Sequence, residues 1–147
     1  MPGTSQLRIL LDSDGVIAMA MIDDSSHKRA EDIFASLTNA KSQLLICSTT
    51  LAEVLTALQR RFNDRKTAES VYDELVEGKI EIVEVGVELF TSAYGYYQSS
   101  KSKKNTIFDA INIAAMKSLN LDAIFSFDGW YSKNGIKLAE KFLMTSS

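Results

Sequence analysis

The 147-residue chain contains one cysteine, one proline and one histidine. A single thiol, Cys47, forbids an internal disulfide and suits a reducing cytoplasm. It lies in the apolar run Leu44-Leu45-Ile46-Cys47 and reads as a small core residue. The lone His27 leaves neither a Cys/His zinc set nor a supported Ser-His-Asp triad. No Gly-rich phosphate loop is present, and no apolar run approaches the ~20 residues of a membrane span. The opening Met1-Pro2-Gly3-Thr4-Ser5-Gln6 lacks the basic-then-apolar pattern of a secretory signal. Positive charge is not in excess either: the net charge is −3 and the pI about 5.2. That excludes a domain holding nucleic acid chiefly by bulk positive potential, while an acidic metal centre would itself lower the total.

Hydrophobic residues make up 46% and charged residues 24%, ordinary values for one globular domain over residues 1–147. Leu7 to Leu11 reads as a short buried strand, stopped by the polar Asp12-Ser13-Asp14-Gly15. Leu44 to Cys47, Ile80 to Val85 and Asp122 to Phe127 read as further strands. Helical spacing marks Ser26 to Leu37, Thr50 to Phe62, Lys66 to Glu77 with Gly78 as its stop, Val87 to Ser100 and Thr106 to Leu119. The tail from Ile136 to Met144 is expected to hold a short last strand or an edge segment. Strands alternating with helices imply an α/β class, with a mostly parallel sheet covered on both faces.

That geometry gives meaning to Asp12, Glu53, Asp109 and Asp128. Asp12 and Asp128 follow strands directly. Glu53 is expected in the first turn of the helix leaving the second strand, and Asp109 opens a helix beginning at the same sheet edge. Ligands of open parallel sheets bind in the crevice outside the strands' carboxyl ends. Each acid also has a structural reading. Thr50-x-x-Glu53 and Thr106-x-x-Asp109 resemble capping boxes, and Asp128-Gly129 is a turn dipeptide. Four acids at one edge would repel unless a cation joins them, and Mg²⁺ or Mn²⁺ prefers such hard oxygen ligands. The expected chemistry is metal-dependent attack on phosphodiesters.

Four segments resemble the motifs of PIN domains: Leu10-Leu11-Asp12-Ser13-Asp14-Gly15-Val16-Ile17, Ser48-Thr49-Thr50-Leu51-Ala52-Glu53-Val54, Ile107 to Ala115, and Ile124-Phe125-Ser126-Phe127-Asp128. The resemblance runs nearly the whole chain and keeps the family's order of Asp, Glu, Asp, Asp. It implies a three-layer α/β/α domain with a central, mostly parallel sheet of four to five strands. It also implies a cytoplasmic Mg²⁺- or Mn²⁺-dependent ribonuclease with Asp12, Glu53, Asp109 and Asp128 as catalytic, metal-holding acids. Ser126 and Ser13 match hydroxyl positions of the family. Asp14 is a departure, standing where Asn or Ser is commoner; as a fifth carboxylate it either assists the metal or caps the following helix, so Ser13, Asp14 and Ser126 are accessory candidates. Homodimers are frequent in the family, and in the VapC-type toxins a small antitoxin protein covers the site. Basic residues near the mouth, Lys101, Lys103, Lys104 and Lys133, would steer an RNA backbone. Trp130, a little beyond the last acid, is read as packing.

Two other readings start from the same residues. Asp12-Ser13-Asp14-Gly15 also looks like the first motif of haloacid-dehalogenase-type phosphatases, with Asp12 as nucleophile, Asp14 as general acid and Ser48-Thr49 as the hydroxyl motif. It leaves Glu53 and Asp109 unused. The third is a non-catalytic interaction module that keeps its acids for stability.

Overall fold

Every residue of the first strand is apolar after Arg8 because β1 (Arg8–Leu11) is an inner strand of its sheet and is covered on both faces. A computed structural model of the chain describes residues 6–145, Thr145 by its backbone only, so the Met1–Ser5 part of the opening stretch lies outside the described residues. β1 pairs in parallel with β2 (Gln43–Cys47) on one side and β4 (Ala123–Phe125) on the other, and β2 pairs in parallel with β3 (Glu81–Val83). The sheet order is β3-β2-β1-β4. After β1 the chain moves one way to β2 and β3, then returns to the other side of β1 for β4. The point of reversal lies between β1 and β4, where open α/β sheets form their ligand crevice.

Alternation of side chains splits the interior into two cores. Ile9, Leu11, Ile46, Ala123 and Phe125 face one, with residues of α1 (Ser13–Ala20), α2 (His27–Asn39), α3 (Ser48–Arg60) and α4 (Arg65–Glu77). Leu10, Leu45, Cys47 and Ile124 face the other, with residues of α5 (Val87–Ser99) and α6 (Ile107–Ser118). The result is the expected three-layer α/β/α arrangement with a four-stranded parallel sheet. α5 and α6 pack against each other and are joined by a short loop. That loop returns the chain to the edge where Asp109 begins its helix.

Several local expectations are corrected. The polar Asp12-Ser13-Asp14-Gly15 that stops the strand also opens a helix whose span the helical spacing had not marked: Asp12 follows β1 and N-caps α1, its carboxylate accepting from the Ser13 N–H at 2.8 Å. The short polar run obscured this helix, whose buried face is Val16, Ile17 and Ala18. β2 runs into α3 with no intervening residue, which puts Glu53 beyond the first turn and removes the expected capping box at Thr50. α7 (Trp130–Lys133) had no sequence signal of its own. The tail supplies the edge segment of the two expected alternatives, not a strand: Leu138 makes one parallel bridge to Ile124 before α8 (Ala139–Thr145) begins. Arg29 on α2 pairs with Glu140 on α8 and lies over the Phe127 ring, tying that tail to the sheet edge.

Gly15 shows how tightly α1 sits on the sheet. A Cβ there would lie 2.7 Å from the Phe125 carbonyl oxygen and 3.2 Å from its ring. Gly15→Ala therefore forces α1 off β4 and should lower stability by about 1–3 kcal/mol. Gly95 in α5 meets nothing within 4 Å, so Gly95→Ala should raise stability by up to about 1 kcal/mol through helix propensity. Urea denaturation of the two variants checks the pair; equal shifts of one sign would contradict it.

Candidate active site

Asp12 is the floor of the site. It is 3% exposed and directly follows β1, at the positive end of α1. Its Oδ1 accepts from Ser13 N–H at 2.8 Å and Asn112 Nδ2 at 3.0 Å, and its Oδ2 accepts from Ser126 Oγ at 2.9 Å. Its backbone N–H donates to Phe125 O at 3.1 Å, binding the ends of β1 and β4 together. Ser126, buried beside β4, thus holds a carboxylate as expected from its position, and it also contacts Asp14 Oδ2 at 3.2 Å.

Asp109 serves two purposes. Thr106 and Asp109 form a true capping box, with Thr106 N–H donating to Asp109 Oδ2 at 3.0 Å. Its other oxygen accepts from the Tyr131 hydroxyl at 3.2 Å. Asn105 Nδ2 then joins Asp109 to Asp128, donating to one at 3.3 Å and the other at 2.7 Å. Asp128 Oδ1 accepts from Trp130 N–H at 2.9 Å, so the turn reading of Asp128-Gly129 holds together with its place beside Asp109. Glu53 receives a hydrogen bond from the Ser13 side chain, while its Oε1 is buried with no protein donor.

The electrostatics join all of these acids. Burial, then the charges of Asp14 and Asp109, hold the Asp12 carboxyl well above the ordinary carboxylate range. Burial lifts Glu53 from 4.5 to about 7, with Asp109 and Asp14 adding to the rise. Burial raises Asp109 as well, helped by Asp128. Hydrogen bonds from neutral donors (Ser126 and Ser13 N–H on Asp12, the Ser13 side chain on Glu53, Thr106 N–H, Asn105 and Tyr131 on Asp109) act against that rise. Among the described residues, no three His, Cys, Asp or Glu side chains converge as a ready-made ligand cluster. The donor set nevertheless suits a divalent ion: hard carboxylate oxygens, an unpartnered buried Glu53 Oε1, and excess negative charge. Such ions keep several waters and need few direct carboxylates.

Three residues essential to this arrangement had no role assigned from sequence. Asn112 is fully buried in α6, one turn after Asp109, and bonds Asp12, the Tyr131 hydroxyl at 3.1 Å and the Thr50 hydroxyl at 3.1 Å. Its signal was an amide inside the otherwise apolar run Ile111-Asn112-Ile113-Ala114-Ala115. Tyr131 is fully buried; burial and the charges of Asp12 and Asp109 raise its phenol, keeping it a proton donor. Asn105 looked like part of a basic loop. Trp130 is half-buried against the core, as expected. Cys47 is buried and its thiol pushed up to about 12 by burial, which fits a core role. His27 Nδ1 lies 2.7 Å from Ala18 O and ties α2 to α1. Lys101, Lys103, Lys104 and Lys133 are exposed, the first three on the loop that ends at Asn105.

A protein-family model for the PIN domain matches residues 9–136, and the chain belongs to that family. Two solved structures share the fold. One is the VapC20 sarcin-ricin loop cleaving toxin of Mycobacterium tuberculosis, with a TM-score of 0.77, 21% identity, and coverage of 87% of this chain and 95% of that one. The other is PAE2754 from Pyrobaculum aerophilum, with a TM-score of 0.59, 18% identity, and coverage of 98% and 97%. At these identities the likeness establishes the fold. No curated protein matches the chain at a significant level. No helix among the described residues is long and apolar enough to cross a membrane.

The raised acids predict a pH dependence of stability. A carboxyl whose folded pKa exceeds its unfolded value binds more protons when native, so stability falls as pH climbs between the two values. For Glu53 that window runs from 4.5 to about 7. Asp64 and Glu140 are shifted the opposite way, by the Thr67 hydroxyl and by Arg29, and destabilise only at lower pH. In EDTA the melting temperature should be highest near about pH 5 and fall toward about pH 7.5, with a shallower fall in Glu53→Gln. Thermal melts across that range check this; a rise with pH would contradict it.

Proposed function

We propose that the protein is a metal-dependent ribonuclease that hydrolyses RNA phosphodiester bonds, with Asp12, Glu53, Asp109 and Asp128 as its acidic centre. The observation that carries the reading is Asp12: an almost fully buried carboxylate whose hydrogen-bond partners, Ser13, Asn112 and Ser126, are all neutral, with the charges of Asp14 and Asp109 acting on it. Such charge is unfavourable in the folded chain alone and becomes favourable when a divalent cation binds. Membership of the PIN family supports the choice of chemistry, and the fold shared with a toxin that cleaves the sarcin-ricin loop supports RNA as substrate.

Asp12, Asp109 and Asp128 would hold Mg²⁺ or Mn²⁺, and Glu53 would take part through water. When bound, the ion supplies a more acidic water and charge neutralisation at the scissile phosphate. Glu53, with its carboxyl near 7, is suited to accept the proton of the attacking water at neutral pH. Asn112, Tyr131 and Asn105 hold the acids in place. The exposed lysines of the 101–104 loop, with Lys133, would guide the RNA backbone toward the edge.

The same reading makes the chain a cytoplasmic toxin neutralised by a small antitoxin protein, and a homodimer. An apolar groove of about 590 Å³ lined by Val16, Met19, Phe34, Val71 and Leu75 supports an apolar partner segment. Exposed Val87, Phe90, Tyr94 and Tyr97 at helical spacing along α5 support a second interface.

The phosphatase reading fits less well. It gives no role to Glu53 or Asp109, both raised by burial and with Asp109 acting on Asp12. A non-catalytic module fares no better, since acids raised by burial lower stability rather than add to it.

Asp12→Asn and Asp109→Asn should each lower Mn²⁺-dependent cleavage of single-stranded RNA by at least about 100-fold with unchanged far-UV circular dichroism. EDTA should abolish wild-type activity. Wild-type cleavage by folded Asp12→Asn protein would overturn the proposal. Hydrolysis of p-nitrophenyl phosphate without RNA cleavage would favour the phosphatase.

A further inference from the structure

Asp14 is a partly buried carboxylate whose hydrogen bonds do not account for its charge. Its Oδ2 accepts from Phe127 N–H at 2.9 Å and lies 3.2 Å from Ser126 Oγ. An asparagine carbonyl oxygen would accept both bonds equally well. The bonds that tie α1 to the end of β4 therefore do not explain a carboxylate. Its Oδ1 is buried and has no protein donor, an unfavourable state for a charged oxygen in the folded chain alone.

The placement of Asp14 is equally specific. Ser126 touches both Asp12 and Asp14, so one hydroxyl separates the two carboxylates. The charge of Asp14 acts on Asp12 and Glu53, and that of Asp128 acts on Asp14. It sits two residues past Asp12 in the first turn of α1, whose N-terminus favours an anion. Arg29, on which the charge of Asp14 acts, is already paired with Glu140.

We infer that Asp14 is a fifth acidic donor of the same centre, holding the divalent cation directly or through one water by its free Oδ1 while Oδ2 stays fixed to β4. The inference rests on the proposed metal centre and extends it. With four acids, two divalent ions would bring the centre to neutrality; the fifth leaves one negative charge to be met by a further positive group. The chain should therefore bind divalent ions more tightly than the Asn- or Ser-bearing form of its own motif.

Mn²⁺ binding to the full chain at neutral pH, followed by calorimetry and by the electron paramagnetic resonance of free Mn²⁺, tests this without any activity assay. Asp14→Asn, which keeps the bond to Phe127, should weaken Mn²⁺ binding by about 10-fold or more. Its metal-free melting temperature should stay level or rise, because a buried charge has gone. Asp14→Ser is the second variant and should show the same loss should the amide disturb folding. Wild-type affinity in a folded Asp14 variant, alongside weakened binding in Asp12→Asn, would overturn this inference alone. Undiminished binding in Asp12→Asn as well would overturn the metal centre on which it rests.

Discussion

Several carboxylates are held together at the end of β1 and β4 with only neutral groups between them, and the surrounding structure follows from that constraint. Two unit charges ~4 Å apart repel by about 4 kcal/mol at the effective dielectric typical near a protein surface. A whole domain is stable by only about 5–15 kcal/mol. A few such repulsions would consume that margin, so protons, cations or hydrogen bonds must offset them. The chain contributes the hydrogen bonds: Ser126 between Asp12 and Asp14, Asn105 between Asp109 and Asp128, and Asn112 with Tyr131 between Asp12 and Asp109. These neutral donors orient the acids without cancelling their charge, the condition in which a divalent ion gains most.

The fold explains why these acids lie at one sheet edge. β1 lies between β2 and β4, and the direction of winding reverses between β1 and β4. Backbone ends diverge at such a point and leave a crevice. Asp12 closes β1, Ser126 and Asp128 follow β4, and α3 and α6 both start from that edge with Glu53 and Asp109 near their beginnings. Gly15 lets α1 approach the Phe125 backbone closely enough to bring Asp14 into the same space.

Much of this was legible in the residues. The alternation of apolar strands and amphipathic helices announced the layered sheet, and the four acids with their motifs announced the edge they share. What escaped had physical reasons. α1 and α7 are short, and α1 opens on Ser-Asp-Gly, a composition that turns also use. Thr50 matched a capping box, but the direct passage from β2 to α3 moved the helix start to Ser48 and released Thr50 to bond Asn112. Asn112 and Tyr131 lie in apolar surroundings where pattern reading assigns packing, and their roles emerge only once α6 and α7 are placed over Asp12. Asp14 was visible as an irregularity, and its two differently treated oxygens give it a meaning that spacing alone could not.

The most direct test of the central claim is a crystal of the protein soaked in Mn²⁺ and measured for anomalous scattering. The account predicts a peak within ligand distance of Asp12 and of at least one of Asp109 and Asp128, with Glu53 reaching it directly or through a water. Well-ordered carboxylates with no peak among them, or a peak elsewhere on the surface only, would contradict it.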